Sequence, residues 1–192
     1  TYTFKHALIQ DTAYESLLKS TRQHYHQRIA IVLETQFPEM TEAQPELLAH
    51  HFTEAGLLEK AALYWYQAGQ TAIERSAHVE AIAHLPRGVE LLKTLPETSE
   101  RTQREVDMLI ALGASLIAIK GFAAPEVGQT YTYARQLCQS LENPRQLFPI
   151  LRGLHTYYNV RAEHQTAYAL GEQLLTLAQQ VQDSIMLLAA HR

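Results

Sequence analysis

The stretch Tyr64-Trp65-Tyr66-Gln67-Ala68-Gly69-Gln70-Thr71-Ala72, followed by Ala81-Ile82-Ala83-His84-Leu85-Pro86-Arg87-Gly88, decides the fold of this chain. In its first half Trp65, Ala68, Gly69 and Ala72 recur at three- and four-residue spacing, so they share one face of a helix. Ala81, Leu85 and Gly88 do the same in the second half. A large apolar residue beside small ones lets two helix backbones approach closely. The reading is a helical hairpin.

The pattern returns twice. A second copy starts at Leu109, with Leu112, Gly113 and Leu116 on one helix and Val127, Tyr131 and Ala134 on its partner, across a loop longer by two residues. A third places Leu151, Leu154 and Tyr158 before Ala167, Gly171 and Leu174, with His155 where glycine is expected. Trp65, Leu109 and Leu151 are 44 and then 42 residues apart. These copies resemble the tetratricopeptide signature, whose period is about 34, so they read as long-helix relatives of it. The expected fold is all-α, a tetratricopeptide-like α-solenoid of antiparallel helical hairpins. Hairpins of this kind bury their apolar faces only by stacking, and the stack presents a long surface suited to holding another protein.

With 46% hydrophobic and 19% charged residues over 192 positions, the chain can bury a sizeable core. A net charge of −4 and no run of five Lys or Arg argue against nucleic acid as a partner. The longest nearly unbroken apolar run, Met108 to Ile119, is 12 residues, too short to span a bilayer. No signal peptide is read near Thr1, and the chain is expected to be a segment of something larger and cytoplasmic. Cys138 is the single cysteine and reads as core filler.

Punctuation places helices at roughly 6–18, 20–36, 45–55, 57–75, 77–95, 101–120, 125–142, 144–160, 163–181 and from 184 onward. Asn143-Pro144 is a start signal, and Gly56 and Gly121 stand where helices should end in a left-handed turn. Pro86 and Pro149 fall inside helices that they are expected to kink or split.

The first forty residues differ from the repeats. Tyr2, Phe4, His6, Leu8, Ile9, Asp11, Tyr14, Leu17, Leu18, Arg22, His26, Ile29, Ala30 and Leu33 resemble the end of a winged-helix domain of STAND-type signalling ATPases. The stretch Pro45 to Phe52, then Ala55-Gly56, Ala62, Tyr64-Trp65 and Ala68-Gly69, looks like the start of the helical sensor region of bacterial ATPases of this class, often joined to adenylate or guanylate cyclase or protein kinase domains. The resemblance implies a boundary: 1–40 as the end of a winged-helix-like domain and 41–192 as helical repeats, the last truncated. It also implies that His6, in the histidine place of a Met-His-Asp motif, senses nucleotide. Lys5 and Ala7 depart from that motif.

No residue set points to chemistry in the segment itself. The phosphate loop G-x-x-x-x-G-K-[ST] is absent, as are G-x-G-x-x-G, G-x-S-x-G and H-E-x-x-H, so the chain is expected not to be an enzyme. ATP or ADP with Mg is expected in a missing ATPase domain. No metal site is expected either: His24 and His26, and likewise His50 and His51, should diverge on their helices, and Glu80 with His84 makes too few ligands. By the resemblance to tetratricopeptide proteins, a concave groove for a protein or peptide, or for the parent's own nucleotide-binding domain, maps onto Tyr66, Gln70 and Glu74, onto Ile110, Ala114 and Ile117, and onto Arg152, Thr156 and Asn159. The implied function is a sensor and interaction arm of a larger signalling ATPase. The alternative is the inducer-binding arm of a large ATP-dependent transcriptional activator.

Overall fold

The computed structural model describes residues 12, 14–139 and 144–190. Every regular element among them is a helix: α1 (Lys19–Gln36), α2 (Pro38–Ala43), α3 (Pro45–Ala55), α4 (Leu58–Glu74), α5 (His78–Lys93), α6 (Ser99–Lys120), α7 (Pro125–Cys138), α8 (Pro144–Val160), α9 (His164–Val181) and α10 (Ser184–Ala190). The class is all-α. Proline opens α2, α3, α7 and α8, at the position where its missing N–H is not needed. Thr98 caps α6 by accepting the Arg101 amide N–H at 3.1 Å.

Two local details differ from the sequence reading. The short helix α2 was not foreseen, and of the kink or split expected at Pro86 and Pro149 the split does not occur: α5 and α8 each continue as one helix past the proline. Leu85 and Val89 flank Pro86 and are buried, as are Phe148 and Ile150 beside Pro149, so packing holds the helix across the lost ladder bond. His6 and Asn143 lie outside the described residues.

Three hairpin turns share one backbone solution. After α3, α4 and α8 a residue takes positive φ: Gly56 (76°), Ser76 (58°) and Ala162 (60°). The next amide then bonds back to a carbonyl five residues earlier, Leu57 to Phe52, Ala77 to Ala72 and Glu163 to Tyr158, at 3.0, 2.8 and 2.9 Å. This satisfies carbonyls that a helix end leaves orphaned. Gly121 also has positive φ (81°) but an extended ψ of 167°, so the turn expected there is not left-handed helical.

Packing follows chain order. α1 lies on α3, and from α3 to α9 each helix packs on the next, while α4 also touches α6 and α6 touches α8. Two buried clusters result. Ala30, Leu48, Ala49, Phe52, Ala61, Tyr64, Trp65 and Ala68 join α1, α3 and α4, and a larger cluster runs from Ala62 to Ala178. Residues on both sides of position 40 therefore share one core. Each fully buried Leu, Ile or Phe contributes about 1.5–3 kcal/mol.

Candidate functional site

The nine expected groove residues fall on α4, α6 and α8, the helices that touch across the hairpins. On α4, Tyr66 is half-buried and its hydroxyl accepts a hydrogen bond from Gln70 Nε2 at 2.7 Å, while Glu74 is exposed. Burial pushes the Tyr66 phenol upward. On α6, Ile110 and Ile117 are half-buried against the larger core and Ala114 is exposed. On α8, Arg152 and Asn159 are exposed, and the Thr156 hydroxyl donates to the Arg152 carbonyl at 3.0 Å. Arg152, Thr156 and Asn159 line one cleft of about 420 Å³ with His155, closed on its apolar side by Leu174 and Ile185.

Polar groups that sequence reading passed over tie these helices together. Gln146 of α8 donates through Nε2 to the Asp107 carboxylate of α6, and at 3.5 Å to the Gln103 carbonyl. Burial raises the Asp107 carboxyl above the ordinary range, and the Gln146 bond partly offsets it. Asp107 also lies near enough to Tyr66 and Cys138 to raise both further, with burial the larger cause in each; the Cys138 thiol is pushed up to about 11. Two residues before Asp107, on another face of α6, Glu105 is fully buried, with Arg101 Nη2 3.1 Å from its Oε2 and the Tyr133 hydroxyl donating to its Oε1 at 2.6 Å. The opposite charges at four-residue spacing were a readable signal for that pair. Nothing in the sequence located Tyr133.

The histidines correct another expectation. His50 and His51 of α3 both close on the buried His26 of α1, with ring centroids 5.7 and 5.0 Å away. His26 Nδ1 lies 2.8 Å from His51 Nδ1, and the Tyr14 hydroxyl lies 2.8 Å from His26 Nε2. Among the described residues no group of three or more His, Cys, Asp or Glu is arranged to hold a metal ion. No described helix is long and apolar enough to cross a membrane. His84 is half-buried and stacks on Trp65, with centroids 5.5 Å apart.

No family model matches the chain. It is 29% identical over 154 residues to an uncharacterised protein of Rhizobium meliloti (strain 1021), a match covering 79% of this chain and 15% of that protein. The chain thus spans about a seventh of the length of that relative. Among solved structures, BtubC (BKLC) from P. vanneervenii matches at 14% identity over 86% of this chain and 75% of that one, with a TM-score of 0.38. A likeness that loose defines no common fold.

Proposed function

We propose that this chain is a tetratricopeptide-like α-solenoid acting as the protein-binding arm of a larger cytoplasmic signalling ATPase. It carries no catalytic site of its own. Nucleotide and Mg are handled by a separate domain of the parent, with which the arm also docks. The observation that carries the reading is the direct contact of α4 with α6 and of α6 with α8, reinforced by the Gln146–Asp107 bond. In this reading a face running from Tyr66 to Asn159 across those contacts is the docking surface. The face has a half-buried aromatic at one end and an arginine with no ion-pair partner among the described residues at the other. Aromatic and Arg side chains are the usual anchors of protein interfaces. The size of the Rhizobium relative, of which the matched stretch is 15%, supports a role as one part of a long polypeptide.

Peptides selected from a display library against the folded chain test this, with binding mapped by amide chemical shifts. Perturbations should cluster at Tyr66, Gln70, Ala114, Arg152 and Asn159. Joint Tyr66→Ala and Arg152→Ala replacement should weaken binding at least about tenfold, the effect of losing an interface anchor. Perturbations confined to α5, α7 and α9, or full affinity in a folded double variant, would overturn the reading.

A further inference from the structure

The junction between α1 and α3 is built from imidazoles. His26 is 8% exposed, and the rings of His50 and His51 stand 5.7 and 5.0 Å from it and 5.6 Å from each other. The 2.8 Å approach of His26 Nδ1 to His51 Nδ1 requires one nitrogen to donate and the other to accept. With both rings charged, both nitrogens carry protons and the bond cannot exist. We infer that His26 and His51, with the His50 ring packed beside them, form a proton-operated clasp, which holds α1 on α3 while the His26 and His51 rings are neutral and releases it when both become charged.

The surrounding charges do not rescue a protonated cluster. On α1, Arg22 adds positive charge near His26, and Tyr14, just before that helix, offers its hydroxyl. Glu54 of α3 is the carboxylate that opposes three imidazoles. From α5, Arg87 and Glu90 line the same cleft as His50 and Glu54, one charge of each sign, and Trp65 of α4 lines it too. Lys60 of α4 is held by Glu34, 2.7 Å away.

Burial, the largest cause, lowers the proton affinity of both His26 and His51, and the neighbouring histidines lower it further. The sign follows from linkage. The unfolded or undocked rings bind protons more readily than the docked ones, so docking is fully favoured above about pH 6.5 and weakens as pH falls below it. Each proton taken up on release steepens the change by at most about tenfold per pH unit. Histidine is the side chain whose ordinary range makes such a device operate near neutrality.

Hydrogen exchange of the full chain at pH 7.5, 6.5 and 5.5, corrected for intrinsic exchange rates, tests the clasp. The opening constant of α1 should rise about threefold to tenfold per pH unit below 6.5 while that of α5 stays level. His51→Gln keeps a hydrogen-bonding side chain but not the proton site, and should flatten the α1 response. An α1 slope equal to that of α5, or a wild-type slope in His51→Gln, overturns the inference. If His51→Gln does not fold, His26→Gln, which removes the other ring of the hydrogen-bonded pair, should flatten the slope, and a wild-type slope there is equally fatal. NMR titration of the wild-type rings gives an independent reading: His26 and His51 titrating at the ordinary value near 6.5 would exclude the clasp.

Discussion

Trp65 is 4% exposed, and three polar side chains engage its ring. Its Nε1 donates to Thr53 Oγ1 at 3.1 Å, the His84 ring stacks on it, and the Arg87 guanidinium lies 4.7 Å from the ring centroid. The apolar stripe through Ala61, Ala62, Ala68, Gly69 and Ala72 made its burial readable in advance, because periodicity reports which face of a helix is covered. The three polar contacts were not readable, since they come from α3 and α5 at positions set by how those helices cross α4. Trp65→Ala should destabilise the chain by about 3–5 kcal/mol in urea unfolding, the range for truncating a buried aromatic. A loss under about 1 kcal/mol would mean that the ring does not anchor the α3–α4–α5 junction.

Between elements, glycines seat large side chains of the facing helix, aromatic rings in the second half of the chain and Leu85 and Met108 in the first. A Cβ on Gly113 of α6 would lie 2.4 Å from the Tyr131 ring, and a Cβ on Gly153 of α8 would lie 2.4 Å from the same ring. Tyr131 of α7 is thus held from both sides, and burial pushes its phenol up to about 12. Gly128 makes the same kind of seat for Tyr157. Sequence reading picked Gly113 and Tyr131 but looked for the third small residue at His155, two positions past Gly153. Position 155 keeps the register, since a Cβ on Gly171 of α9 would meet the His155 ring at 3.7 Å across the same hairpin; Gly153 is an added seat that faces back to α7. Because the Tyr131 ring has no room to retreat, Gly153→Ala should cost about 1–3 kcal/mol by overpacking, measured by thermal or urea unfolding. The same change at Gly121, where a Cβ meets nothing within 4 Å, tests only backbone strain and gives the comparison. Unchanged stability in Gly153→Ala would show that α7 and α8 slide apart freely.

Across the whole molecule the two buried clusters meet at Leu91, which packs against both. Contacts run mainly between sequence neighbours, so the chain should open in parts rather than all at once. Phe52→Ala, which empties the centre of the first cluster, should accelerate hydrogen exchange in α1 and α3 by at least about tenfold and leave α7 to α9 within about twofold. Equal acceleration throughout would show a single cooperative unit. The sequence by itself determined the helical class, most helix positions, the small-residue seats at Gly69, Ala81 and Gly113, and the burial of Cys138. All of these depend on local periodicity and on residue size. Only the tertiary structure decided that His50 and His51 converge on His26, that Gly153 of α8 seats Tyr131 of α7, and that α5 and α8 continue past their prolines. Each of those depends on which faces of distant helices meet and at what angle, and the local pattern of one helix does not encode the orientation of another.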